Sequence, residues 1–342
     1  MDWRSVFTAA RQAGGPSVLV TVVAVDGSAP RGPGSKMLVL PEKIAGSIGG
    51  GELEFQAIRQ ARGLMAEDAA SPRLDRVPLG PQLGQCCGGV AKLLYEPLRD
   101  ADAAWLDQAA ALGPDDAALR AVTLDADASG KWFIRSGSEP PGDLPAALGQ
   151  CLQGLSGRAE TARVIELDDG GLVVADVIAD HRQPLFLFGA GHVGQALVTA
   201  LSALPFNITW VDSRAEAFPG DPPANVTVAV TDPPRFAVGR APAGGFFLVM
   251  THNHDLDLEV CEAVLQRGDS SYLGLIGSGT KRARFLKRLA AKGLTEERLS
   301  QLTCPIGLPG IAGKEPAVIA ASVAADLLRR REETPTGGKD DG

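Results

Sequence analysis

The sequence predicts an α/β chain of two domains: a mixed α+β domain over residues 1–180, then a doubly wound parallel-sheet domain over 181–331. A disordered tail is expected over 332–342. Three observations carry this. The 342 residues suffice for about two domains at roughly 100–200 residues each. From residue 184 onward, apolar strand-like runs alternate with helical patterns, which builds a parallel sheet covered on both faces. Before residue 100, strand-like runs are separated mainly by glycine-rich loops. With 45% hydrophobic and 22% charged residues, a disordered or fibrous chain is excluded.

The elements follow in order. Residues 17–25 (SVLVTVVAV) form a continuous β-branched run, the mark of a strand buried on both faces. The loop 26–35 (DGSAPRGPGS) leads to a strand at 36–40, and a turn at 41–43 to a short strand at 44–48. Gly49, Gly50 and Gly51 open a helix whose Leu53, Ala57, Ile58, Ala61, Leu64 and Met65 share one face. The loop 84–89 (GQCCGG) precedes a strand at 90–95. Residues 100–180 read as alanine-rich helical stretches, closed by two strands, 162–167 and 172–178, around the turn Asp168-Asp169-Gly170-Gly171.

In the second domain, strands are expected at 185–189, 208–212, 226–230, 246–250 and 272–276. Helices alternate with them: one with Val193, Ala196, Leu197, Ala200, Leu201 and Leu204 on one face, one over 255–266, and a basic one over 280–292. Pro316 suits the first turn of a last helix reaching residue 330.

Charge and composition narrow the function. A net charge of −8 argues against nucleic acid as the main partner, because phosphate backbones need a basic face. No run approaches the roughly 18 apolar residues of a membrane span, and no secretory leader is visible. Five cysteines, an odd number without metal-knuckle spacing, do not make a disulfide framework. A soluble, cytoplasmic protein is expected. The 41 glycines and 24 prolines against 5% aromatics point to tight turns and backbone-lined sites.

GAGHVG at 189–194 fits the dinucleotide fingerprint, since it follows a strand, opens a helix and precedes an acid, Asp212, at the next strand end. This makes the second domain Rossmann-like. Gly189, Gly191, His192 and Gly194 would bring backbone to a pyrophosphate, and Asp212 would accept from a ribose hydroxyl. The same scaffold can hold another anion, or none. His252, just past the strand 246–250, is a candidate acid/base or phosphate contact; the alternatives are a helix-entry role, with His254 or Asp255 as cap, or a metal ligand. Ser278, Lys281 and Arg282 repeat the pattern of strand, glycine turn and cationic helix start, either for an anion or as a solvated basic face. In the first domain, the loops 26–36 and 46–52 offer nests of N–H groups, with Arg31 and Lys36 adding charge and Gly50, Gly51 and Glu52 at the helix entry. Cys86 and Cys87 cannot easily bridge each other. A glycine-framed thiolate there is a nucleophile or soft-metal ligand; the bland alternative is a small buried pair. Cys151, Cys261 and Cys304 read as core residues.

Taken together and in order, eight blocks resemble the XdhC/CoxI family of xanthine dehydrogenase accessory proteins. They are GSAPRGPGSKM (27–37), GSIGGGELE (46–54), GQCCGG (84–89), GAGHVG (189–194), VDSR (211–214), MTHNHDLD (250–257), GLIGSGTKRARF (274–285) and CPIGLPGI (304–311). The resemblance implies an accessory factor rather than an enzyme. It would bind the molybdenum cofactor (molybdopterin) as cargo, protect it during sulfuration and promote its insertion into apo xanthine dehydrogenase or a related molybdenum hydroxylase. A cysteine desulfurase would supply sulfur, and the chain would form a homodimer. Cys86 is then the preferred molybdenum contact of the two thiols. The competing expectation is an NAD(P)-dependent oxidoreductase, or a nucleotide-transferring enzyme, with NAD(P) or another nucleotide in the Rossmann crevice.

Overall fold

The computed structural model describes residues 3–79, 89–113, 116–124, 130–153 and 162–333. Contacts divide the chain into two compact units, the first ending at Asp180 and the second beginning at His181.

Unit 1 runs α1 (Trp3–Gln12), β1 (Ser17–Asp26), β2 (Lys36–Val39), β3 (Ile44–Gly46), α2 (Gly51–Ala66), β4 (Arg73–Pro78), β5 (Val90–Leu98), α3 (Ala103–Ala110), β6 (Ala117–Thr123), β7 (Lys131–Arg135), α4 (Ala146–Gln153), β8 (Ala162–Glu166) and β9 (Leu172–Ala179). It holds two antiparallel sheets, ordered β3-β2-β1-β5-β4 and β7-β6-β9-β8. The β-branched run of β1 is buried on both faces, as its composition predicts. Val18, Val20 and Val22 pack with Leu53, Ala57, Ala61 and Leu64 of α2. Leu19, pointing the other way, joins Phe7 of α1, Trp105 of α3, Ala118 of β6 and Ile178 of β9.

The alanine-rich reading of residues 100–180 needs a correction. Helices α3 and α4 are present, but AALRAVT at 117–123 is strand β6, buried along most of its length. Alternation explains it: Leu119 and Ala121 pack with Leu148 and Cys151 of α4, whereas Ala118 faces the opposite cluster. Burial between two layers overrides alanine's helix preference.

Unit 2 runs β10 (Gln183–Phe188), α5 (His192–Leu201), β11 (Phe206–Asp212), β12 (Val226–Val230), β13 (Phe246–Val249), α6 (His254–Arg267), β14 (Tyr272–Leu275), α7 (Gly279–Ala291), α8 (Glu296–Ser300), β15 (Leu302–Thr303) and α9 (Pro316–Glu333). All strands are parallel, in the order β12-β11-β10-β13-β14-β15. Read from β10 as the first strand this is 3-2-1-4-5-6, the Rossmann order, with its switch point between β10 and β13. Leu185 and Leu187 face α5 and α9, while Phe186 and Phe188 face α6 and α7, so one strand's alternation covers both layers. Helix α9 continues to Glu333, past its expected end at 330 and into the first residues of the expected tail; residues 334–342 lie outside the described residues. Among the described residues no helix is long and apolar enough to cross a membrane.

Candidate functional site

Three glycine loops of unit 1 are candidates, and two of them touch. A Cβ on Gly49 would lie 2.5 Å from Pro30 Cβ and 3.2 Å from Arg31 Cγ, so only a residue without a side chain lets the loops 27–35 and 47–50 approach so closely. Cys86 and Cys87 lie outside the described residues, but the ends of their segment are defined. Leu79 N–H donates to Gly89 O at 2.7 Å, and a Cβ on Gly89 would lie 2.4 Å from Ser28 O and 2.8 Å from Asp26 O. Gly89, which follows the segment carrying the two thiols, therefore packs against the loop that carries Arg31, and Leu79, which precedes it, is tied to Gly89. Arg31 is exposed and has no polar partner among the described residues.

The nest at 46–52 is filled from within. Glu54 Oε2 accepts from Ser47 Oγ at 2.6 Å and from the N–H groups of Ile48 and Gly50 at 3.0 Å each. The oxyanion these N–H groups hold is the protein's own carboxylate, which removes the Gly50 N–H from an external ligand. Gly51 and Glu52 are exposed, and Glu52 accepts from Gln56. Burial alone would raise the Glu54 pKa, but the Ser47 hydroxyl and the backbone N–H groups prevail and hold it below the usual carboxylate value. A depressed folded pKa stabilises above the unfolded pKa and loses that contribution as pH falls through the folded value. Glu54→Gln is expected to cost about 1–2 kcal/mol at neutral pH, a deficit that shrinks in acid below about pH 4. Urea unfolding of both proteins at several pH values checks this.

Lys36 is likewise committed elsewhere. Its ammonium is buried at 2% exposure and donates to Asp176 Oδ1 at 2.8 Å and to Gly34 O at 2.9 Å. Asp176 also faces Arg120, which pairs with Glu96. Lys36 thus belongs to a charge network buried in unit 1 rather than to a loop open to an anion.

At the carboxyl edge of the unit 2 sheet, the glycines of GAGHVG divide by role. Gly189 has φ +119°, and a Cβ there would lie 2.2 Å from Met250 O. A Cβ on Gly194 would lie 2.1 Å from Gly189 O, the carbonyl that also accepts from Trp210 Nε1 at 3.0 Å. Both glycines serve packing. Gly191 does not: nothing lies within 4 Å of its Cβ position, and its φ of −74° is open to any residue. It precedes α5, whose first turn has no side-chain cap, so free N–H groups and the positive helix end face open space. His192, exposed, opens that helix.

Asp212 is 3% exposed, and its carboxylate is saturated. Oδ2 accepts from Ala190 N at 2.8 Å and Arg214 Nη2 at 2.9 Å; Oδ1 accepts from Arg214 N at 3.1 Å and Arg214 Nε at 2.9 Å. Burial would raise its pKa, but the Arg214 and Ala190 hydrogen bonds keep it low and the group ionised.

The next two strand ends are tied by the last residue of the MTHNHDLD block, to which its spacing assigns no role. Asp257, fully buried in α6, accepts from Thr251 N at 2.8 Å and Thr251 Oγ1 at 2.7 Å. Its other oxygen accepts from Lys281 Nζ at 2.7 Å, which also donates to Ile276 O. Lys281 therefore fastens the β14 exit to the β13 exit. The α6 cap is Asn253, which accepts from Asp255 N at 2.7 Å, and not His254 or Asp255. His252 is exposed beside it, Arg282 is half-buried, and Ser278 caps α7. Burial raises the Cys304 and Cys261 thiols, so both are inert core groups. Among the described residues no cluster of three or more His, Cys, Asp or Glu could hold a metal ion. The crevice thus offers backbone donors, Arg282 and exposed histidines, while its two buried carboxylates are locked in ion pairs.

Two family descriptions match: the XdhC and CoxI family over residues 10–76, and the XdhC Rossmann domain over residues 185–327. The chain belongs to the XdhC/CoxI family. The XdhC Rossmann match covers the strands and loops of the crevice, and the N-terminal match covers the loops around Arg31 and Gly49. A solved structure from Bacillus halodurans, described as a xanthine dehydrogenase, aligns with 99% of this chain and 98% of that one at a TM-score of 0.73. At 22% identity it shows a shared fold. The uncharacterized protein YqeB of Escherichia coli (strain K12) is 30% identical over 180 residues, 52% of this chain. The chain spans only about a third of that relative, 32% of its length.

Proposed function

We propose that this XdhC/CoxI chain is an accessory factor for xanthine dehydrogenase or a related molybdenum hydroxylase, which carries the molybdenum cofactor and delivers it to the apoenzyme. One observation supports the reading: Gly89, the described residue that follows the Cys86-Cys87 segment, packs on the loop 26–35, whose Arg31 is exposed and has no polar partner among the described residues. The cargo would need both a thiolate for its metal and positive charge for its phosphate, and the family's N-terminal domain carries Cys86, Cys87 and Arg31. The uncapped α5 start at Gly191 is a second anion-binding surface, in unit 2. Asp212 and Asp257, each held in an ion pair, serve the fold rather than acid–base chemistry. In this account Cys86 holds or shields the molybdenum, a cysteine desulfurase supplies the sulfido sulfur, and the carrier works in the cytoplasm as a homodimer.

The test is to incubate the purified chain with molybdenum cofactor, desalt it and measure bound pterin by fluorescence after oxidation. Wild type is expected to retain pterin, and Cys86→Ala or Cys87→Ala to release it. Wild type that retains none refutes the proposal.

A further inference from the structure

The Rossmann crevice carries the acid at the end of its second strand that, in dinucleotide-binding domains, accepts from a ribose diol. An ionised carboxylate has about four acceptor sites. In Asp212 all four are used by Ala190 N and by the N, Nε and Nη2 atoms of Arg214, at 2.8–3.1 Å. The carboxylate is 3% exposed, while the Arg214 side chain is 39% exposed. Arg214 therefore stands between Asp212 and solvent.

We infer that Arg214 is a specificity-determining residue that closes the ribose subsite, so that the crevice rejects ligands of the NAD class. A ribose diol could reach Asp212 only by displacing the bidentate guanidinium. It would exchange a bidentate ion pair for two hydrogen bonds from uncharged hydroxyls, and would leave the guanidinium without its counterion. The remaining anion-binding surface, the α5 start at Gly191, makes no demand for a ribose. The inference concerns only what the crevice excludes, so it stands or falls separately from pterin retention.

The experiment is a titration of the full chain with NADH, followed by fluorescence, and with NAD+ by calorimetry. Wild type is expected to bind both only weakly. Arg214→Ala frees the Oδ1 and Oδ2 acceptor sites of Asp212 that Arg214 Nε and Nη2 occupy and is expected to tighten NADH binding by about tenfold or more. The double variant Arg214→Ala, Asp212→Asn should lose that gain. Arg214→Lys keeps the charge without the fork and serves where the alanine variant is poorly folded; its affinity should fall between the two. Tight NADH binding by wild type that Asp212→Asn abolishes would overturn the inference. So would folded Arg214→Ala with unchanged affinity.

Discussion

Asp176→Ala is expected to lower the unfolding free energy by about 3–5 kcal/mol, the range for breaking a buried ion pair by removing one partner. Lys36 and Arg120 would both lose a counterion at about 3% side-chain exposure. Arg120 keeps Glu96, so most of the loss falls on Lys36, whose pKa burial already lowers. In the window between a lowered folded pKa and the unfolded value the unfolded state binds more protons, so stability rises with pH. Removing Asp176 lowers the folded Lys36 pKa further. The variant therefore starts to gain stability at a lower pH than wild type, and its deficit should shrink as pH is raised toward the wild-type folded value. Replacing both partners, with Lys36→Met and Asp176→Leu, should recover most of the stability, because the desolvation cost goes with the charges. Urea unfolding checks each step; a deficit below about 1 kcal/mol would place the pair in solvent-screened surroundings instead.

The three motif glycines of unit 2 are expected to differ in what they tolerate. Gly194 lies inside α5, where alanine is ordinarily favoured over glycine by about 1 kcal/mol. Gly194→Ala should nevertheless destabilise by about 1–3 kcal/mol, since its Cβ would meet a backbone carbonyl at 2.1 Å. Gly189→Ala combines a similar backbone collision with a left-handed φ of +119°, and should cost about 2–5 kcal/mol. Gly191→Ala has neither problem. Its melting temperature should stay within the change expected of about 0.5 kcal/mol, whereas its hold on an anionic ligand should weaken, because a methyl group would occupy the open approach to the α5 start. Thermal unfolding paired with pterin retention separates these outcomes. A Gly191→Ala protein that retains pterin as well as wild type would remove the crevice from the binding surface.

The Rossmann half was legible because its signals are local. A strand, a glycine turn and an apolar helical face recur within about 30 residues, and the acid Asp212 follows at the expected place. Its occupant, Arg214, lies only two residues further on, but spacing cannot say that the arginine turns back onto the acid instead of outward. Glu54 escaped notice for the same reason: a carboxylate in the first turn of α2 reads as a favourable helix charge, and only the fold bends Ser47, Ile48 and Gly50 around it. The charge network of unit 1 was not legible at all. Lys36 and Asp176 are 140 residues apart, and a lone lysine in a glycine-flanked run resembles an anion ligand until its partner appears. Strand β6 was hidden by its alanine content, while β7, with five residues, and β15, with two, are too short to show a clear period. Of the four proposed cations, Lys36 and Lys281 hold the fold together in ion pairs with Asp176 and Asp257.

The central claim is delivery, and transfer tests it most directly. Chain loaded with molybdenum cofactor is desalted and mixed with an apo molybdenum hydroxylase, and pterin on each protein is followed alongside recovered hydroxylase activity. The account predicts that pterin leaves the carrier as activity appears, faster than with an equal amount of free cofactor, and that carrier with Cys86→Ala gives no such advantage. Pterin that stays on the chain, or activity restored equally by free cofactor, would contradict it.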